Sequence, residues 1–268
     1  NSETTIIICG GKSSGKTSMI SRFLDKNENP RPSSGLEYVY ARRTRANAKQ
    51  LANIWELGGG TKLANLITVP LASEKILTTS LVVVVDVTRP HNVKETVEKL
   101  LGAARAAIDG KMAELAREKP ELHEKMLELV KERIEQNEEK SLCAPFPIPL
   151  VFVASKYDEF QNRDSDERRK VCKLLRFLAH FYGAMLVSYS NRLETAQGKC
   201  RLVLAHLAFG AAVGRSLQVD FNKPLFIPWG ADSFAEIGAP PTKDVSLSSI
   251  RASQPLELWW AAFSESFP

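Results

Sequence analysis

Gly10-Gly11-Lys12-Ser13-Ser14-Gly15-Lys16-Thr17 follows the pattern G-x-x-x-x-G-K-[ST], and its flanks decide how it is read. Residues 4–9 are β-branched and apolar, as a buried strand is. Residues 17–25 carry Met19, Ile20, Phe23 and Leu24 on one helical face. A glycine-rich turn between a buried strand and an amphipathic helix reads as a phosphate-binding loop. Gly10 and Gly15 let the backbone wrap closely, so that the N–H groups through Ser13 and Ser14 turn toward phosphate oxygens. The helix that opens with Lys16, Thr17 and Ser18 adds the positive end of its dipole. Lys16 offers a cation to the phosphates, and Thr17 offers a hydroxyl to Mg²⁺.

Outward from this loop the chain alternates strands and helices. Residues 36–43 and 50–57 read as strands. Residues 80–87 contain LVVVVDV, too short for a typical helix and rich in valine. Strands are also expected at 150–154 and 184–188, and helices at 93–108, 165–182 and 198–209. This order predicts an α/β fold with a mostly parallel sheet covered on both faces, and ligands at the carboxyl ends of its strands. Two segments stand outside the minimal pattern. Residues 110–141 are highly charged, with Leu115, Leu122, Met126, Leu129 and Ile134 near helical spacing and Pro120 as an interruption. They read as a solvated helical insertion, with a partner-binding arm as the other possibility. Residues 216–268 are rich in proline and tryptophan. The expected division is therefore a domain over 1–215, with its insertion near 110–141, and a C-terminal extension over 216–268.

Composition narrows the function classes. The 268 residues are 25% charged and 44% hydrophobic with a net charge of +5, so a globular chain is expected. No apolar run approaches the ~20 residues of a membrane helix, so no membrane span is expected. The first residue is Asn1 rather than Met, and no charged leader precedes an apolar stretch; secretion is not expected. Cys9, Cys143, Cys172 and Cys200 show no paired close spacing, which fits a reducing compartment and neither a disulfide framework nor a cysteine metal site. The basic residues are spread along the chain, which gives no argument for direct nucleic-acid binding.

Ser155-Lys156-Tyr157-Asp158 follows the strand at 150–154 and resembles the N-K-x-D element of GTP-binding proteins, with serine in place of asparagine. Asp158 can accept from the two N–H donors of a guanine edge, and Lys156 can lie along the base plane. Ser155 keeps a hydroxyl to bridge toward the phosphate loop. Ser190, within Ser188-Tyr189-Ser190-Asn191-Arg192, sits after the last parallel strand, where such proteins place a loop against the base. The expected cofactor is thus a guanine nucleotide, GDP or GTP, with Mg²⁺; a site inherited from a nucleotide-binding ancestor and now empty is the alternative. Pro32-Ser33-Ser34-Gly35 resembles the first switch of small GTPases, with Ser33 at the residue that meets Mg²⁺ and γ-phosphate, so Thr17 and Ser33 are the expected metal ligands. Trp55-Glu56-Leu57-Gly58-Gly59-Gly60-Thr61 resembles W-D-x-A-G-Q-E. Glu56 stands for the aspartate behind the metal, Gly59 keeps the glycine whose N–H meets γ-phosphate, and Gly60 stands where a glutamine would orient the attacking water. Hydrolysis is expected to be poor or absent, with no catalytic residue assigned.

Longer strings go beyond these motifs. GLEYVYARR (35–43), IWELGGGTKL (54–63), PFPIPLVFVASKYDEFQ (145–161) and LRFLAHFYGAML (175–186) resemble the dynein light intermediate chains. NKPLFIPWGADSFAEIG (222–238) and PLELWWAAF (255–263) are similar to the dynein-2 branch of that family. The resemblance covers nearly the whole chain. It implies a Ras-like P-loop domain used as a non-catalytic motor subunit. Such a subunit binds the dynein-2 heavy chain, alongside other dynein-2 subunits and the intraflagellar transport train. It works in the cytoplasm, on the cytoskeleton and at the axoneme and basal body of cilia. The competing class is an active GTP-binding switch that regulates motor assembly or transport. The chain ends at Pro268 soon after its aromatic stretch, so the long adaptor-binding tail of the dynein-1 branch is not expected here.

That aromatic stretch is the remaining signal. Leu256, Trp259, Trp260, Phe263 and Phe267 share one broad helical face. Such a stripe is too apolar to leave in water. It either packs on this chain's own domain or, with Leu256, Trp259, Trp260 and Phe263 as anchors, seats the heavy chain.

Overall fold

The computed structural model describes residues 2–26, 33–45, 47–135, 137, 139–214, 216–241 and 255–268. Seven strands form one sheet: β1 (Ser2–Gly10), β2 (Leu36–Arg45), β3 (Ala48–Leu57), β4 (Thr79–Asp86), β5 (Leu150–Ser155), β6 (Met185–Ser188) and β7 (Phe226–Ile227). Their order is β2-β3-β1-β4-β5-β6-β7. The five central strands run parallel, and the outer pairs β2/β3 and β6/β7 are antiparallel. The expected mostly parallel α/β architecture is the one observed.

Period-2 alternation splits the buried strands between two cores. Ile6, Ile8, Val82, Val84, Val151 and Val153 face α1 (Lys16–Phe23) and later α6 (Glu194–Phe209). Ile7, Cys9, Val83, Val85 and Phe152 face the opposite layer, built from α2 (Val93–Glu118) and α5 (Ser165–Phe181). Short helices α4 (Tyr157–Phe160) and α7 (Phe234–Ile237), with α3 (Pro120–Glu135) and α8 (Pro255–Ser266), are the other α-helices among the described residues.

Element boundaries differ from the sequence reading in instructive ways. The helix expected over 93–108 runs on to Glu118, through Gly110, because Leu115 continues its buried stripe. Pro120 does break the run, and α3 begins on it, where a missing N–H costs nothing. The insertion is not wholly solvated: Leu115 and Met126 are both buried against the main core. Residues after 216 also return to the same body. Phe226 and Ile227 add to the sheet beside β6, and α8 lies on α5.

Candidate functional site

The turn after β1 is shaped by a close approach. A side chain at residue 10 would place its Cβ 2.3 Å from the Val84 carbonyl oxygen, so glycine is the residue that lets β1 run against β4 here. Gly15, at φ 91, turns the chain into α1. Lys16 is buried, and its ammonium donates to the carbonyls of Gly11 (2.9 Å) and Gly10 (3.4 Å). Burial pulls its pKa below the ordinary lysine value, against the pull of Glu56. Thr17 Oγ1 donates to Glu56 Oε1 at 2.7 Å. Glu56 is itself buried at the end of β3, and burial pushes its pKa above the ordinary carboxyl value, opposed by the Thr17 hydroxyl and Lys16.

These groups open onto a cleft of about 960 Å³ at the carboxyl ends of β1, β3 and β4. Ser13, Ser14, Gly15, Lys16, Thr17 and Ser18 line it, together with Ser33 and Gly59. Two hydroxyl oxygens near the cleft, Ser14 Oγ and Ser33 Oγ, are buried without any hydrogen-bond partner. A buried hydroxyl without a partner is costly, and a phosphate oxygen or a hard cation would satisfy both. The donor set therefore fits a phosphorylated ligand with its metal: backbone amides and Lys16 for the phosphates, Thr17 and Ser33 for the cation.

The loop after β3 closes one wall. Gly58 N–H donates to the Gly35 carbonyl at 2.6 Å, which extends the β2–β3 ladder and ties the Ser33–Gly35 segment to the glycines. Gly60 has φ 67, and a Cβ there would lie 3.0 Å from the Lys12 backbone nitrogen. The position that a water-orienting glutamine would need is thus packed against the phosphate loop itself.

Lys156, Asp158 and Ser190 do not line the phosphate cleft; Asp158 and Ser190 are hydrogen-bonded to each other beside it. Ser190 Oγ donates to Asp158 Oδ1 at 2.7 Å and accepts from the backbone N–H of Arg192 and Leu193, fixing the loop that enters α6. Arg192 stands 3.6 Å from the other Asp158 oxygen. Lys156 Nζ donates to Asp86 Oδ2 at 2.6 Å, and Asp86 does line the cleft, so this ion pair joins the two parts. Ser155 is a correction. Its hydroxyl donates to the Val85 carbonyl at 3.0 Å, across the β4–β5 pair, and makes no bridge to the phosphate loop.

Sequence reasoning missed Asp86, Arg89 and Thr96, all on the cleft wall. One signal was available for Asp86. A single carboxylate ends an otherwise apolar buried strand, at the end where such sheets bind ligands.

The partner-anchor reading of the tail is also corrected. Trp259, Trp260 and Phe263 are 4%, 2% and 1% exposed within this chain. Trp259 stacks on Phe177 of α5, with ring centroids 4.4 Å apart and planes at 13°. Leu256 packs half-buried on the same core. Side chains already desolvated by their own domain are not available as anchors for another.

A sequence model of the family described as Dynein light intermediate chain (DLIC) matches residues 1–154. The chain belongs to the dynein light intermediate chain family. It is 40% identical over 269 residues to the cytoplasmic dynein 2 light intermediate chain 1 of Bos taurus, covering 99% of this chain and 76% of that one. The human and zebrafish (Danio rerio) proteins of that name are 39% and 38% identical, covering 99% and 100% of this chain and 76% and 75% of theirs. A crystal structure of the conserved domain of the dynein light intermediate chain superposes with a TM-score of 0.62 over 88% of this chain and 84% of that one, at 16% identity. That likeness carries the Ras-like fold. As a light intermediate chain, the protein is a dynein subunit. Among its described residues no helix is long and apolar enough to cross a membrane.

Proposed function

We propose that this chain is a non-catalytic light intermediate chain of the cytoplasmic dynein-2 motor. It binds and stabilises the heavy chain, assembles with the other dynein-2 subunits and travels with the intraflagellar transport train in cilia, at axoneme and basal body. Its likeness to the cytoplasmic dynein 2 light intermediate chains over almost its whole length supports the assignment. The cleft holds a guanine nucleotide with Mg²⁺ as a structural element, through Gly10–Ser18, Ser33 and Gly59 at the phosphates and Lys156, Asp158 and Ser190 at the base.

The observation that carries the non-catalytic reading is the packing of Gly60 against Lys12. A phosphoryl-transfer site needs a side chain to orient the attacking water; this position has none, and its left-handed backbone and close approach to Lys12 disfavour one. The switch reading has one observation in its favour, the two buried hydroxyls of Ser14 and Ser33 that a γ-phosphate and its metal would satisfy.

Nucleotide analysis of the denatured, purified protein, followed by a turnover assay, separates the two. Retained guanine nucleotide with no turnover supports the platform; measurable cycling supports the switch. Lys16→Ala is expected to remove retained nucleotide and lower the melting temperature by mass-action linkage, while leaving co-purification with the heavy chain intact. Loss of co-purification at an unchanged melting temperature would favour the switch. Asp158→Asn is expected to remove the preference for guanine, and equal GTP and ATP binding by the unmutated protein would rule that assignment out.

A further inference from the structure

The two edges of the sheet are built differently. At one end β7 is two residues long, and Gln218 bridges to Phe226 outside it. At the other end β2 runs for ten residues, in register with β3 from Leu36↔Leu57 to Arg45↔Ala48. Among the described residues no strand pairs with its outer side. An antiparallel edge strand turns alternate N–H and C=O groups outward. A strand of this length therefore presents a row of free donors and acceptors roughly 34 Å long.

The same strand carries an ordered row of side chains on one face. Trp55 of β3 meets Tyr38 with centroids 4.9 Å apart, Tyr38 meets Tyr40 at 6.4 Å, and the Arg42 guanidinium lies 4.6 Å from the Tyr40 centroid. The Tyr38 hydroxyl donates to Asn53 Oδ1 at 2.8 Å, which fixes its ring. Even so, Tyr38 and Tyr40 are 47% and 49% exposed. Tryptophan, tyrosine and arginine are the residue types that dominate interface energies, and rings already held in place lose little freedom on binding.

Charge selects the occupant. The β2–β3 hairpin carries Arg42, Arg43, Arg45 and Lys49 against Glu37 on β2 and Glu56 at its base. Arg43 is committed inward, donating to Gln50 Oε1 and to the Phe209 carbonyl, and Glu56 is buried on Thr17. Arg42, Arg45 and Lys49 remain outside and exposed, a cationic margin beside the free edge.

We propose that the β2 edge takes an extended acidic segment of a partner polypeptide as an added strand. Its backbone would continue the ladder, its carboxylates would face Arg42 and Lys49, and on the same face an apolar residue would rest on Tyr38 and Tyr40. Free backbone groups along the edge favour a polypeptide over single-stranded nucleic acid, which would use the ring face alone. Tyr38, Tyr40 and Arg42 are not among the residues that line the phosphate cleft.

The test titrates the full chain with a fluorescein-labelled ten-residue peptide whose one face carries two valines followed by glutamates, with threonine at the alternate positions, read by anisotropy. Three controls accompany it: lysine in place of glutamate, N-methylation of alternate backbone amides, and a ten-residue oligouridine as competitor. The glutamate peptide is expected to bind, to weaken at least tenfold with Tyr40→Ala or Arg42→Glu, and to slow hydrogen exchange at the outward amides of β2. Tyr40→Phe, which keeps the ring, is expected to retain binding. N-methylation is expected to abolish it. No binding, equal binding of the lysine peptide, indifference to N-methylation, or displacement by oligouridine at lower concentration than by unlabelled peptide would each overturn the proposal.

Discussion

Two aromatic rows in this protein have the same chemistry and opposite fates. Trp259, Trp260 and Phe263 of α8 are buried, with Trp259 stacked on α5, while on the β2–β3 hairpin Tyr38 and Tyr40 stay about half exposed and Trp55 beside them is half-buried. The cause is topological. Parallel strands need a crossover, and each crossover lays a helix on a face of the sheet. α5 arises this way between β5 and β6, and it offers Phe177 for Trp259 to stack on. A hairpin needs no crossover. The face of β2 that carries Val39 and Ala41 packs on the core beside α1 and α6, and the face that carries Tyr38 and Tyr40 receives no helix among the described residues. Aromatic content alone therefore does not mark an interface; the layer that the connections leave bare does.

Four substitutions sharpen or break this contrast. The largest effect is expected from Trp259→Ala, which removes a stacked, fully enclosed ring and should cost about 3–5 kcal/mol in denaturant unfolding. An unchanged midpoint would mean that α8 is not part of the core. Next comes Asp232→Ala. Arg176 makes two hydrogen bonds to this buried carboxylate at 2.7 and 2.8 Å, and this pair ties the segment before α7 to α5. Leaving the arginine without its carboxylate should cost about 2–3 kcal/mol in the same measurement.

Gly60→Gln tests the turn that follows the hairpin. A left-handed backbone and the tight approach to Lys12 should cost about 1–2 kcal/mol, and no hydrolysis should be gained in a phosphate-release assay. A rise in turnover would instead show that the site lacked only a side chain. The smallest effect is expected from Tyr40→Ala, within about 0.5 kcal/mol in stability because the ring is half exposed. A loss comparable to that of Trp259→Ala would erase the distinction between the two rows.

Much of the fold could be read locally. The phosphate loop lies within eight consecutive residues, and the strands on either side of it announce themselves by composition. The base-side cluster was legible as residues but not as geometry. Lys156 is paired with Asp86, 70 positions earlier in the chain, and Ser155 turns to a β4 carbonyl, because β4 and β5 are neighbours in the sheet. Neither contact has a spacing that a sequence displays. The extension after 216 is rich in proline and shows few periodic signals before its end, and its described residues supply β7 and α8 to the same body.

The sequence by itself determined the strand–loop–helix phosphate motif, the alternation that yields a mostly parallel sheet, and membership of the light intermediate chain family. These rest on residue types within short windows or on strings long enough to be distinctive. Only the tertiary structure decided that the tail helix is core, that Gly60 sits close against Lys12, and that Tyr38 and Tyr40 stay half exposed on β2. Each of those outcomes depends on which surfaces meet across the chain. Burial is a property of the pair of surfaces in contact, whereas a hydrophobic pattern records only one of the two.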